Sequence, residues 1–201
     1  MDKKTRLAVF VSGSGTNLQA IIDAEIWNVE IAVVLSNNPG AYAVERAKKH
    51  GIPVEIVDHR NYSLREEFER EIIIRLEPFN VDIIALAGFM RVLSPFFIGS
   101  YKNRIINLHP ALLPCFPGIH AVKQALDYGV KFTGCTVHFV DEGVDTGPII
   151  LQAVVPIHDM YTEDSLLERI HKEEHRIYPE AIRLISEGKL KIERRRVLIK
   201  D

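Results

Sequence analysis

The chain has 201 residues, of which 47% are hydrophobic and 26% are charged, and its formal net charge is −2. This composition is typical of a globular protein with a sizeable core, and it gives no reason to expect a nucleic acid or a membrane as a partner. Only two cysteines occur, Cys115 and Cys135, with no disulfide or metal-ligand spacing, so we expect a soluble protein of the reducing cytoplasm.

The first predicted elements are a strand, a turn of small residues and a helix. The apolar run Leu7–Val11 is typical of a central strand that is buried on both faces. The turn Ser12–Asn17 follows, and a helix is predicted from Leu18 to Ile22. Free backbone N–H groups at such a helix start favour an anion. Because Leu18 replaces the third glycine of the dinucleotide fingerprint, a single phosphate is favoured, and a tight turn without a ligand is the alternative.

Strands and helices then alternate, which predicts a parallel sheet with right-handed crossovers. Ligands bind such sheets beyond the carboxyl ends of the strands, so we expect the loops there to carry the functional residues. A capping box is predicted at Ser63–Glu66, where the third helix begins. The predicted strands are Glu30–Ser36, Pro53–Val57 and Val81–Ala87. The predicted helices are Ala41–His50 and a charged helix that this capping box opens and that reaches about Glu77.

An unusually apolar loop, Gly88–Pro95, follows the fourth predicted strand. Its large apolar side chains are Phe89, Met90, Val92 and Leu93. Such side chains are explained equally well by packing in the core and by contact with a flat ligand. The sequence leaves both explanations open.

A candidate acyl-transfer site follows the next strand. The run Ile105-Ile106 is typical of a buried strand, and the period of two places Asn107 and His109 on one face of it. Pro110 has no N–H group, so it ends the strand. An amide can donate to a developing oxyanion, and an imidazole can move a proton near neutral pH. A satisfied core histidine beside a turn asparagine is the alternative.

The pattern changes after a predicted helix at Ala121–Tyr128. Alternation over Lys131–Val140 and a strand-like run at Pro148–Pro156 predict an antiparallel extension with a long connecting loop. The spacing of the acidic residues in this loop matches no calcium site, and carboxylates of a surface turn are the simplest explanation. These residues are Asp141, Glu142 and Asp145.

A long helix near the C-terminus completes the predicted fold. Thr162 is expected to cap it, Pro179 to kink it and Gly188 to end it. The basic tail Lys189–Arg196 is interpreted as a solvated edge element. We therefore predict one α/β domain over residues 1–201, with a mostly parallel, twisted, Rossmann-like sheet flanked by helices and an antiparallel C-terminal extension.

Four segments taken together resemble the phosphoribosylglycinamide formyltransferases, a folate-dependent family of purine synthesis. The segments are Ser12–Leu18, Ala87–Ser94, Asn107–Pro114 and Val137–Pro148. The likeness runs in order from residue 6 to Gly188. It implies transfer of a formyl group from the co-substrate 10-formyltetrahydrofolate to the amine of 5-phosphoribosylglycinamide, with these small molecules as partners and no metal.

The resemblance also implies residue roles. Asn107, His109 and Asp145 would be catalytic, and Gly15, Thr16 and Asn17 would hold the substrate phosphate. Glu174 would contact the same substrate. The folate site would be lined by Arg65, Met90, Arg91, Val92, Leu93, Asn107, Asp141, Glu142, Gly143 and Val144.

The implied chemistry needs no protein nucleophile, because the substrate amine attacks the formyl carbon. Asn107 and protonated His109 would stabilise the oxyanion, and the negative charge of Asp145 would keep His109 protonated. His171 stands where some relatives have glutamine, and Cys115 lies in a variable loop, so neither is given a role.

Two other functions remain open at this point. A formyltetrahydrofolate hydrolase would use water in place of the amine; such relatives carry an additional N-terminal domain, whereas the core here is expected to begin at Leu7. The other is a non-catalytic folate- or nucleotide-binding module, which would be favoured had Asn107, His109 or Asp145 been lost.

Overall fold

The computed structural model describes residues 3–200, and the chain divides into two compact units. The first unit ends at Ile106 and the second begins at Asn107. Within the first unit the strands are parallel, and within the second an antiparallel pair is present. The predicted α/β fold class is confirmed, whereas a single domain over residues 1–201 stays a prediction.

The first unit contains a parallel sheet whose strands lie in the order β3, β2, β1, β4. Its strands are β1 (Thr5–Val11), β2 (Val29–Ser36), β3 (Val54–Ile56) and β4 (Ile83–Leu86). Its helices are α1 (Thr16–Asp23), α2 (Tyr42–Lys49), α3 (Arg65–Leu76) and α4 (Pro95–Ser100). The side chains of β1 are fully buried from Leu7 to Val11, which confirms the prediction of a central strand.

Two helix starts in this unit differ from the prediction. Helix α1 begins at Thr16 rather than Leu18, because Gly15 takes the left-handed conformation that starts the helix. The predicted capping box at Ser63 was wrong. Helix α3 begins at Arg65, and the carboxylate of Glu67 accepts a hydrogen bond of 3.4 Å from the N–H group of Leu64 instead.

Helix α4 was not predicted, since it has only six residues and is almost entirely apolar. Its start is fixed by Ser94, whose hydroxyl oxygen accepts a hydrogen bond from the N–H group of Phe97. Ser94 is held in turn by the buried carboxylate of Glu69, which accepts from its N–H group at 2.7 Å and from its hydroxyl. The cap therefore depends on a residue of α3 that is remote in sequence.

The strands of the second unit lie in the order β5, β6, β7, β9, β8, with β5 beginning just before the unit boundary. Its strands are β5 (Ile105–His109), β6 (Phe132–Phe139), β7 (Ile149–Pro156), β8 (Leu190–Glu193) and β9 (Arg196–Ile199). Its helices are α5 (Ala121–Tyr128) and α6 (Glu163–Ser186). Strands β6 and β7 are antiparallel, as predicted, and β9 joins β7 at the pair Ile149 and Arg196.

The C-terminal elements agree with most of the predicted boundaries. The hydroxyl oxygen of Thr162 accepts from the N–H group of Ser165 at 3.2 Å and so caps α6. The helix continues through Pro179 and ends at Ser186, and Gly188 follows with a φ of 66°. The basic tail forms a hairpin in which β8 is the edge strand. Within residues 3–200, no helix combines the length and apolarity that crossing a membrane requires.

Candidate active site

The structure brings together the three residues that were predicted to be catalytic, all in the second unit. Asp145 Oδ2 lies 3.2 Å from His109 Nδ1, and Asp145 Oδ1 accepts a hydrogen bond of 3.3 Å from Asn107 Nδ2. His109 is buried, and Asn107 and Asp145 are half-buried. Because Asn107 and His109 reach one carboxylate from β5, they share a face of that strand, as the alternation predicted.

Both ring nitrogens of His109 face hydrogen-bond acceptors. Nε2 lies 2.8 Å from the carbonyl oxygen of Phe116, and Nδ1 faces the carboxylate of Asp145. A neutral imidazole has one N–H group, whereas the imidazolium has two. Only the protonated ring can therefore donate to both neighbours, so this environment suits the charged form of His109.

His138 is a fourth member of this cluster, and no role was predicted for it, although it lies in the segment Val137–Pro148. Its Nδ1 lies 2.9 Å from the carbonyl oxygen of Phe139, and its Nε2 lies 3.3 Å from Asn107 Nδ2. Since a carbonyl only accepts, Nδ1 carries the hydrogen and Nε2 of the neutral ring accepts from the amide. The sequence places His138 inside a buried β6, where it looks like a core histidine; only its nearness to the loop that carries Asp145 could have indicated a role.

Both hydrogens of the Asn107 amide already face acceptors. Its nitrogen faces His138 Nε2 and Asp145 Oδ1, each at 3.3 Å, which uses both of its hydrogens. Both distances are at the long end for a hydrogen bond. Donation from Asn107 to an oxyanion requires one of these weak bonds to be exchanged.

Asp145 remains ionised in these surroundings. Burial raises the pKa of its carboxyl, but the two neighbouring histidines, His138 and His109, and the hydrogen bond of 2.8 Å from the N–H group of Gly118 outweigh burial. The pKa of Asp145 therefore lies below its ordinary value. His138 Nε2 lies 3.6 Å from Asp145 Oδ1, beyond the usual hydrogen-bond distance.

The carboxylate of Asp145 and the carbonyl group of Phe116 both belong to residues in a left-handed backbone conformation. Asp145 has a φ of 54° and Phe116 a φ of 53°, although neither is glycine. Such conformations cost about 1–3 kcal/mol each and persist where surrounding contacts impose them. Gly147 is required for a different reason, because a Cβ atom there would lie 1.7 Å from the carbonyl oxygen of Phe139.

The predicted phosphate turn lies at the start of α1 in the first unit. Gly15 has a φ of 73°, and a Cβ atom on it would lie 2.6 Å from the Cβ atom of Ala43, so only glycine fits. Thr16 and Asn17 are the first two residues of the helix, and no acidic residue occupies its first turn. The free N–H groups and the dipole of a helix start attract anions.

The apolar loop after β4 divides its large side chains between the core and the surface. The side chains of Phe89 and Leu93 are buried, and the ring of Phe89 packs edge-on against Phe10 at 5.2 Å between centroids. Met90 and Val92 are instead 75% and 59% exposed. Only the exposed pair is free to contact a ligand through its side chains.

The remaining predicted ligand-binding residues lie at different places in the two units. Arg65 is exposed at the first position of α3, and Arg91 is exposed in the loop after β4. Glu174 is buried on α6, where its carboxylate lies 3.9 Å from His171 Nε2. The segment 141–144 lies in the loop between β6 and β7, where the hydroxyl of Thr146 donates to Asp141 Oδ1 at 2.5 Å. Among residues 3–200, no group of three or more His, Cys, Asp or Glu side chains is arranged to hold a metal ion.

Comparisons with known proteins match this chain to formyltransferases. Residues 5–182 match the family described as formyl transferase. A phosphoribosylglycinamide formyltransferase of Escherichia coli (strain K12) is 42% identical over 189 residues, which cover 92% of this chain and 89% of that protein. The crystal structure of glycinamide ribonucleotide transformylase 1 from Symbiobacterium toebii has a TM-score of 0.96 and 50% identity, and covers 98% of this chain and 95% of that chain.

Longer relatives also match. The trifunctional purine biosynthetic protein adenosine-3 of Drosophila melanogaster is 48% identical over 191 residues. These residues cover 92% of this chain but 14% of that protein, so the chain spans only a small part of that relative.

Proposed function

Because this chain belongs to the formyl transferase family, we propose that it transfers the formyl group of 10-formyltetrahydrofolate to the amine of 5-phosphoribosylglycinamide in purine synthesis. The observation that carries this proposal is the cluster of Asn107, His109 and Asp145, whose polar atoms converge within 3.3 Å of the Asp145 carboxylate. The similarity to proteins named for this reaction supports it. We propose in addition that residues 1–201 act as one formyltransferase domain in the cytoplasm.

The proposed reaction passes through a tetrahedral intermediate. The substrate amine attacks the formyl carbon, and a C–N bond forms while the carbonyl oxygen becomes an oxyanion. The bond from that carbon to N10 of the folate then breaks, and a proton from the attacking amine is transferred to N10. No covalent bond to the protein is required.

The protein contributes charge and orientation. Protonated His109 donates to the oxyanion after its Nε2–H group leaves the carbonyl oxygen of Phe116. Asn107 does so after exchanging one of its two long hydrogen bonds. Each such donor is expected to contribute about 10²–10³-fold to the rate. Asp145, ionised at neutral pH, stabilises the charged ring of His109.

The two substrates are proposed to contact different sets of residues. Gly15, Thr16 and Asn17 are proposed to hold the phosphate at the start of α1, and Glu174 to contact the rest of that substrate. The folate would be held by residues that include the exposed Met90 and Val92, with buried Leu93 contributing through its backbone. The further proposed folate-binding residues are Arg65, Arg91, Asn107, Asp141, Glu142, Gly143 and Val144.

The test is to measure release of tetrahydrofolate with and without 5-phosphoribosylglycinamide, at one folate concentration and one pH. We expect release to depend on the amine and formate to be absent from the products. Release at the full rate without the amine, with formate as the product, would identify a hydrolase instead. No release under either condition, despite binding of the folate, would identify a binding module.

A further inference from the structure

The backbone of the proposed phosphate turn is held from one side by a neighbouring segment of the first unit. Three consecutive carbonyl groups of the turn each accept one hydrogen bond from the segment 38–46, which we call the 38–46 clamp. The pairs are Ser12 with Asn38 Nδ2 at 3.2 Å, Gly13 with the N–H group of Ala43 at 3.0 Å, and Ser14 with Arg46 Nε at 2.9 Å.

Peptide geometry converts these contacts into an orientation of the N–H groups. In a planar trans peptide, the C=O bond of one residue and the N–H bond of the next point in opposite directions. Fixing three carbonyl groups against the clamp therefore turns the N–H groups of Gly13, Ser14 and Gly15 away from it. Among residues 3–200, no hydrogen bond uses these N–H groups as donors. Successive N–H groups that point to one side form a concavity suited to an anion.

Arg46 is the positively charged member of the clamp, and its guanidinium is held at three points. Nε donates to the carbonyl oxygen of Ser14, Nη1 donates to Gln19 Oε1 at 3.2 Å, and the group lies over the ring of Tyr42 at 5.0 Å from its centroid. The side chain thus links α2 to the turn and to α1. It also places a positive charge beside the turn.

We propose that Arg46 is a positioning residue for the phosphate of the amine substrate. It fixes the peptide between Ser14 and Gly15 so that the N–H group of Gly15 points at the phosphate, and its charge favours the bound anion. This inference rests on the proposed function, because it takes Gly15, Thr16 and Asn17 as the phosphate site. Arg46 acts through the backbone of the turn rather than by contact with the reacting atoms.

The test compares Arg46→Ala and Arg46→Lys with the wild-type protein and with Lys48→Ala. Lys48 lies on the same helix and carries the same charge, and in the part of the chain that the structure describes its ammonium group pairs with Glu45. The KM values for 5-phosphoribosylglycinamide and for 10-formyltetrahydrofolate are measured together with kcat. A parallel series uses the same amine substrate without its phosphate.

We expect Arg46→Ala to raise KM for the phosphorylated amine by about tenfold, the scale of one lost charge-assisted interaction. KM for the folate and kcat should stay within about twofold, and activity on the amine without phosphate should be unchanged. Arg46→Lys should fall between Arg46→Ala and wild type, since it keeps the charge but not the planar donor group. Lys48→Ala should match the wild type.

Two results would overturn this inference. One is an unchanged KM for the phosphorylated amine in Arg46→Ala. The other is an equal loss of activity on the amine with and without its phosphate, which would indicate a general structural role. If Arg46→Ala does not fold, Arg46→Lys alone decides between the same outcomes. Failure of the proposed function is distinguishable, because the wild-type protein would then show no amine-dependent release of tetrahydrofolate.

Discussion

The proposed catalytic cluster around Asp145 and the proposed phosphate turn Ser12–Asn17 are organised in opposite ways. In the cluster, the working groups are side chains that already hydrogen-bond to one another or to carbonyl groups, as His109 does to Phe116. In the turn, the proposed working groups are backbone N–H groups, and the carbonyl groups of Ser12, Gly13 and Ser14 are held by the 38–46 clamp. The cluster should therefore be sensitive to the identity of each side chain, whereas the turn should be sensitive to backbone conformation.

The largest expected effect comes from removing a side chain of the cluster. His109→Ala and Asp145→Ala should each lower kcat by about 10²–10⁴-fold, because both act mainly on the transition state. Asn107→Ala should cost about 10²–10³-fold, the scale of one oxyanion donor. The KM values should change only a few-fold. Steady-state kinetics test this, with Asp127→Ala as a control that removes an exposed carboxylate paired with Lys123 on α5. Near-wild-type turnover by His109→Ala would contradict the catalytic assignment.

An intermediate effect is expected from a change of backbone conformation in the turn. Gly15→Ala places a side chain at a φ of 73° and a Cβ atom 2.6 Å from that of Ala43, so it should lower the free energy of unfolding by about 1–3 kcal/mol. Gly13→Ala is the matched control, because its Cβ atom would meet nothing within 4 Å and its φ is not in the left-handed region. Urea unfolding of both variants measures the difference. Equal stabilities would show that the conformation of Gly15 does not matter.

The smallest expected effect is a dependence of stability on pH. The pKa of Asp145 is lower in the folded protein than its ordinary value, so the unfolded chain binds the proton more readily. The resulting stabilisation is fully present above the ordinary carboxyl pKa, which is about 3.9, and is lost as the pH falls through the lower folded value. Asp145→Asn should therefore lose less stability than wild type on acidification from neutral pH to below this range. Identical pH profiles of the unfolding free energy would contradict the ionised state of Asp145.

Local sequence patterns predicted the parts of the site that depend on short-range geometry. The period of two and Pro110, which cannot continue a strand, were enough to place Asn107 and His109 at the end of β5, on one face. The strand, small-residue turn and helix likewise indicated an anion site at Gly15, which stays a prediction. Asp145 came from the family resemblance, since the acidic residues of a turn are not distinctive by themselves.

The rest depends on contacts between segments that are remote in sequence. His138 looks like any buried strand residue until β6 brings it to Asn107. The carbonyl group of Phe116 faces His109 through a left-handed backbone conformation that no local pattern required. Arg46 lies 32 residues from the carbonyl group of Ser14 that it holds. Propensity and periodicity describe single segments, so they do not reveal these pairings.

The proposed cluster acts on the chemical step, and the proposed phosphate turn acts on binding. The most direct test of this difference is the rate of a single turnover, measured at saturating concentrations of both substrates. His109→Ala should be slowed by about 10²–10⁴-fold even when every site is filled, because the loss lies in the chemical step. Arg46→Ala should react at nearly the wild-type rate once its weaker binding of the phosphorylated amine is overcome. Near-wild-type transfer by His109→Ala, or slow transfer by Arg46→Ala at saturation, would contradict the account.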